Sequence, residues 1–197
     1  MSKMLYQGHG SYRLTTRDGK TIYVDPYVGE GYDVPADLIV ISHAHHDHNN
    51  LAIIRQQAPG CRILRPANML VNGEYRTEEV QGITVRAVQA YNGHHKKEEC
   101  VGYILSFDGI TFYASGDTST TEDMAKMADL HLDYAVFPGD GIYNMDVQEA
   151  SRCASLVNAR HSIPVHLKPG ALYDRQAAEQ FQGPGRLLVA PGEEIEL

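Results

Sequence analysis

The sequence predicts a mixed α/β (α+β) chain on antiparallel or mixed sheets, and three observations carry that expectation. Apolar runs of strand length alternate with segments of helical period, Asp-Gly pairs at Asp18-Gly19 and Asp108-Gly109 join strand-like runs, and Gly and Pro recur too evenly to mark a linker. The 197 residues fit a single domain spanning 1–197. At that length folding removes about 70% of the unfolded chain's surface from water, so a full core forms without staples.

In order along the chain, residues 12–14 and 21–24 form the first hairpin, because Asp18-Gly19 supplies the positive φ such a turn needs; Asp25-Pro26 ends it. Leu38-Ile39-Val40-Ile41 is short, continuous and β-branched, which predicts a buried strand, and residues 51–57, stopped by Pro59-Gly60, read as a helix. Further strands are expected at 83–90, 101–107, 110–113, 134–137, 162–165, 187–189 and 194–197. Helices are expected to begin at Ser119 and Asp146, each three residues before a glutamate, with a last helix at 174–181.

Composition narrows the function. Hydrophobic residues are 43% and charged residues 21%, as in ordinary globular chains, and 25 acidic against 17 basic residues leave a net charge of −8. Duplex binding rests on basic residues that neutralise phosphates, so nucleic acid is not an expected partner. Cys61, Cys100 and Cys153 are odd in number and widely spaced, suggesting neither a disulfide framework nor a thiolate metal knuckle. No stretch approaches ~18 consecutive apolar residues and the opening lacks signal-peptide anatomy. The expected setting is cytoplasmic, with no membrane partner.

His43-Ala44-His45-His46-Asp47-His48 packs four imidazoles and a carboxylate into six residues directly after a buried strand. One histidine beside a core is more often a satisfied side chain than a ligand; four with an aspartate are hard to explain without metal. Three further strands run into potential ligands at their carboxyl ends: His94-His95, Asp117 and His166. Taken singly, Asp117 reads equally as a helix cap, His166 as a core histidine and His94-His95 as a solvated turn. Presented together from neighbouring strand ends, they converge on one rim of a sheet, and two adjacent cation sites follow.

These residues resemble the five-part metal-binding pattern of the metallo-β-lactamase superfamily. Gly8-His9, Asp25-Pro26, Ala90-Tyr91-Asn92, Val101-Gly102-Tyr103, Asn144-Met145-Asp146 and Pro164-Val165-His166 resemble its branch of small metal-dependent hydrolases that includes sugar-phosphate lactonase-like proteins. The resemblance implies a four-layer αββα sandwich with metals at one edge of two facing sheets. It implies His43, His45 and His95 on one metal, Asp47, His48 and His166 on the other, and Asp117 bridging both. His94 rivals His95, whose distance to Val101-Gly102-Tyr103 matches the branch better. No cysteine stands at the bridging position, which separates the chain from members that hydrolyse antibiotics through a cysteine ligand. His46, His131 and His161 are assigned no site role.

Two divalent ions are therefore the expected cofactors. Zinc is the expected metal, and manganese or iron(II) suits the same donors. Such a pair lowers the pKa of a shared water towards about 7, which makes a hydroxide nucleophile at neutral pH. The expected activity is hydrolysis of a small ester, lactone, thioester or phosphoester, with Asp47 and Asp117 as catalytic residues and Asp47 accepting the hydroxide's hydrogen. His9 and Asp25 are placed behind the ligands or read as packing and turn chemistry. Lys96, Lys97 and Lys168 would suit an anionic small-molecule substrate; the competing reading is solvated surface charge. The alternatives are an iron-binding redox or dioxygen-using member of the same fold, a nuclease, and a non-catalytic binding protein.

Overall fold

The computed structural model describes residues 1–197. Strands β1 (Lys3–Gly8), β2 (Ser11–Thr15), β3 (Thr21–Val24), β4 (Ala36–Val40) and β5 (Gln57–Leu64) build most of the first sheet. A single helical turn, α1 (Pro66–Met69), and a small hairpin of β6 (Leu70–Val71) and β7 (Glu74–Tyr75) cross to the second. There follow β8 (Thr77–Val80), β9 (Ile83–Gln89), β10 (Val101–Phe107), β11 (Ile110–Ala114), α2 (Met124–Met127), β12 (Tyr134–Pro138), α3 (Val147–Val157), β13 (His161–Val165) and α4 (Arg175–Gln180). Strand β14 (Glu194–Glu196) returns beside β1. The two six-stranded orders are β14-β1-β2-β3-β4-β5 and β13-β12-β11-β10-β9-β8.

Period-two alternation decides the layers. Ile22, Val24, Leu38 and Val40 of the first sheet face Val85, Leu105, Phe112 and Val136 of the second in one continuous core. The intervening Tyr113, Ala135 and Phe137 point outward and are covered by Ala150, Cys153, Ala154 and Val157 of α3 and by Met124 of α2. On the first sheet's outer face, Tyr23, Ile39 and Ile41 are covered by Tyr32, Ile54 and a 3-10 turn at Leu51–Ile53. That outer layer is thin: a loop and one turn. No helix is long and apolar enough to cross a membrane.

The mixed α/β expectation holds, with corrections. Residues 51–57 are not a helix: only Leu51–Ile53 coils, and β5 runs straight through Pro59-Gly60. Strand β5 is the sheet's edge, and its register jumps from Ala36↔Gln57 to Leu38↔Arg62. The extra residues bulge where Pro59 has no ladder bond to lose. No helix starts at Ser119, because the Thr120 N–H and hydroxyl donate instead to Glu149 Oε1 across the fold, and the turn of α2 follows Asp123. Asp146 does cap α3, accepting from the Glu149 N–H. Residues 187–189 form no strand; Leu187 makes one backbone bond, to Ser162 O.

Strand direction places the site. Strand β1 is antiparallel to β2 and β2 to β3, so β1 and β3 run the same way, and β4 is parallel to β3. In the second sheet β9 and β11 both run antiparallel to β10, and β12 and β13 are parallel to β11. The carboxyl ends of β1, β3 and β4 therefore deliver His9, Asp25 and the His43–His48 loop to one edge of the first sheet. Those of β9, β11, β12 and β13 deliver His95, Asp117, Asp140 and His166 to one edge of the second. The edges meet: the His166 N–H donates to His9 O at 2.9 Å and the Val101 N–H to Ser42 O at 2.9 Å. Loop residues beyond parallel strand ends are where ligand sites form.

Candidate metal centre

The loop after β4 folds back rather than extending. His43 and His48 are buried, His45 and His46 are exposed, and Asp47 is half-buried. The His43 ring lies 4.6 Å from that of His45 and 4.7 Å from that of His95, centroid to centroid. Possible ligand atoms gather in three overlapping groups, each within 4.8 Å: His43, His45 and His95; His43, His48 and Asp117; and His9, Asp47, His48 and His166. Asp117 is central, with Oδ1 3.3 Å from His48 Nε2 and Oδ2 3.5 Å from both His95 Nε2 and His166 Nε2.

Backbone conformation at the edge is unusual for the residue types. His9, Asp25 and His166 sit at φ 55°, 45° and 47°, in the left-handed region that non-glycine residues enter only when surrounding structure holds them there. Gly116, at φ 65°, leads into Asp117, and a Cβ there would lie 2.6 Å from Ser42 Cβ. Glycine is the residue that permits this approach.

The buried imidazoles are contacted from behind. His48 Nδ1–H donates to Asp25 Oδ2 at 2.9 Å, and His95 Nδ1–H donates to Asn92 Oδ1 at 2.9 Å. Ser42 Oγ donates to Asp25 Oδ2 at 2.7 Å and so accepts from His43 Nδ1–H at 2.9 Å. His166 Nδ1 lies 3.0 Å from Asp140 Oδ2. With Nδ1 of His43, His48 and His95 engaged in this way, Nε2 is the atom that each of these rings turns to the common space.

Burial and charge act strongly here. Burial, with neighbouring His48, pushes His43 down to about 2, so it is a neutral ring. Burial would raise Asp117, but His48 and His166 outweigh it and hold the carboxylate well below its usual range. Burial likewise opposes Asp47, and His9, 3.2 Å away, keeps it ionised. For Asp140, contact with His166 and the Ile142 N–H outweigh burial and set it at about 2.

The donor set fits a cation. His43, His48, His95 and His166 each bury an Nε2 atom with no hydrogen-bond partner. Buried polar atoms are nearly always satisfied, and four orphans turned on one carboxylate are what a cation would complete. No cysteine joins any group.

Of the residues named from the sequence as possible ligands, His43, His45, Asp47, His48, His95, Asp117 and His166 come together in these groups. His94 is the exception to convergence: it is exposed and packs edge-on to Tyr143, 5.6 Å away. His46 packs on Tyr27, His161 stacks on Tyr134, and His131 ends a 3-10 turn at positive φ. Asp140 and Ser42 escaped the sequence reading, and Asn92 entered it only within the Ala90-Tyr91-Asn92 stretch, with no role of its own. Asp140 carried a usable signal, since it follows a buried strand as Asp117 does; Ser42 and Asn92 are polar residues that nothing local distinguishes.

Two facing sheets with a histidine and aspartate cluster at one edge make a protein of the metallo-β-lactamase fold. Residues 3–166 match the beta-lactamase superfamily domain, and the chain belongs to that family. A UPF0173 metal-dependent hydrolase of Thermococcus kodakarensis is 28% identical, with all of each chain covered. The solved structure of a Parabacteroides distasonis protein assigned as a metal-dependent hydrolase is 26% identical and superposes with a TM-score of 0.77 over 95% of this chain and 92% of that one. Igni18, a metallo hydrolase from Ignicoccus hospitalis, shares the fold at 22% identity and a TM-score of 0.74, covering 100% of this chain and 99% of its own.

Proposed function

We propose that this chain, as a single domain, is a metal-dependent hydrolase holding two divalent cations: one by His43, His45 and His95, the other by Asp47, His48 and His166, with Asp117 between them. The observation that carries the reading is the approach of one oxygen, Asp117 Oδ2, to 3.5 Å from both His95 Nε2 and His166 Nε2, members of the two separate groups. Its relatives' names support the hydrolase class. Zinc suits this imidazole and carboxylate set, as do manganese and iron(II). When bound, such a pair ionises water near neutral pH and polarises the bond to be cleaved.

The chain's own groups do the rest. Asp25, Ser42, Asn92 and Asp140 fix the ligand rings before substrate arrives, which lowers the reorganisation needed during reaction. Asp47 is 26% exposed at the side chain and lines the cavity beside the cluster, where it accepts a proton from the attacking water while His9 keeps it oriented. The cavity, about 510 Å³, admits a small ester, lactone, thioester or phosphoester. Three unpaired cysteines fit a cytoplasmic setting.

The test is elemental analysis of protein purified without added metal, followed by turnover of a panel of those four substrate classes after zinc reconstitution. Two metal equivalents per chain and turnover of one class are expected. Absence of bound metal, or iron with oxygen uptake and no hydrolysis, would overturn the reading.

A further inference from the structure

Tyr143 is an exposed aromatic whose backbone is tied on both sides. It is 50% exposed, yet its N–H donates to Asp140 Oδ1 at 2.7 Å and its carbonyl accepts from Asn92 Nδ2 at 3.0 Å. Asp140 also contacts His166, and Asn92 holds His95, so the two side chains that contact these imidazoles also fix the backbone from which this ring projects. Tyr27, which follows a strand of the first sheet, lines the same cavity and packs edge-on to His9 at 5.4 Å and to His46 at 5.8 Å. Tyr143 pairs in the same way with His94. Two Tyr–His pairs, one from each sheet, thus flank the space beside the cluster, and Pro169 and Gly170 complete its rim.

The same cavity has no lysine or arginine among its lining residues. The lysines near the edge are engaged elsewhere. Lys96 reaches Glu99 at 3.1 Å, Lys97 lies 5.4 Å over the Tyr91 ring, and Lys168 is 3.9 Å from Asp174. A substrate with a charged group remote from the reacting bond would find no lysine or arginine there; a flat uncharged group would find two aromatic side chains.

We infer that the substrate's non-reacting part is uncharged and planar, and that Tyr27 and Tyr143 select it. This rests on the metal-dependent hydrolase reading and departs from the anionic substrate that the three lysines suggest in sequence.

Calorimetry on zinc-loaded protein of measured metal content, at pH 8, tests it with three hydroxamates: benzohydroxamate, acetohydroxamate and 4-carboxybenzohydroxamate. Benzohydroxamate is expected to bind about five-fold or more tighter than acetohydroxamate, the carboxylated probe no tighter than benzohydroxamate. In Tyr143→Ala and, separately, Tyr27→Leu, the benzo-to-aceto ratio should fall towards one, with circular dichroism unchanged. Tighter binding of the carboxylated probe, an unchanged ratio in both variants, or metal-replete protein that binds none of the three overturns this inference alone. Protein that retains no metal overturns the hydrolase reading as well.

Discussion

Asp140 and His166 meet at 3.0 Å, Oδ2 to Nδ1, and the other oxygen of the same carboxylate accepts from the N–H groups of Ile142, Tyr143 and Asn144. One buried side chain therefore sets both an imidazole of the cluster and the loop that walls the cavity. Asp140→Asn preserves an oxygen for the loop and removes the charge facing His166. Zinc affinity at the weaker site should fall about 10-fold or more, read by competition with a fluorescent chelator. An unchanged affinity would reduce Asp140 to a loop organiser.

Metal should stabilise the fold through the cluster. At free zinc about 100-fold above its dissociation constant the gain is about 2.7 kcal/mol, which for a chain this long raises Tm by roughly 5–10 °C. Chelation should reverse that rise. Asp117→Asn should erase it, because that carboxylate faces both groups, whereas His45→Ala should leave part of it. Equal zinc-dependent shifts in Asp117→Asn and the parent would remove Asp117 from the set.

Gly116 and Gly73 separate steric closeness from backbone strain. Both have positive φ, but a Cβ at Gly116 meets Ser42 at 2.6 Å, whereas at Gly73 nothing lies within 4 Å. Gly73→Ala should cost about 1 kcal/mol in urea unfolding, and Gly116→Ala about 2–4 kcal/mol. Similar costs for the two would mean that the approach to Ser42 relaxes freely.

Asp108 ties the two sheets at the end remote from the cluster: Oδ2 accepts from Arg17 N–H at 2.6 Å and Ser2 Oγ at 2.7 Å. Those bonds lower its pKa. A carboxylate lowered on folding stabilises above its unfolded value, about 3.9, and that contribution is lost as pH falls through the folded value. Asp108→Asn, at this exposed site, should be about 0.5–1 kcal/mol less stable than the parent at pH 7. The gap should close as the pH falls below about 4, as followed by urea midpoints. A gap that persists at low pH would assign the loss to packing.

The cluster was legible because its chemistry is contiguous: no core needs His43, His45, Asp47 and His48 side by side. Asp117 and His166 were legible from a repeated pattern, a buried strand ending in a polar residue. The elements that failed share the opposite property. Pro59-Gly60 signals a stop locally, yet at an edge strand beside a bulge it interrupts nothing. Ser119 has the composition of a cap, but its neighbour Thr120 bonds to Glu149, 29 residues away. What surrounds the ligands was illegible for the same reason, since Ser42 and Asn92 acquire meaning only from the histidines that fold against them.

Because strands of like direction bring the cluster to one end, the turns that start them collect at the other. Gly19, Gly82 and Gly109 sit in such turns, and each has open space around it. Of the three, the Gly82 turn takes no part in the Asp108 tie, so peptide tags or whole domains spliced in there would leave both the tie and the histidines undisturbed. A descendant of this chain can therefore acquire new attachments there without renegotiating its chemistry.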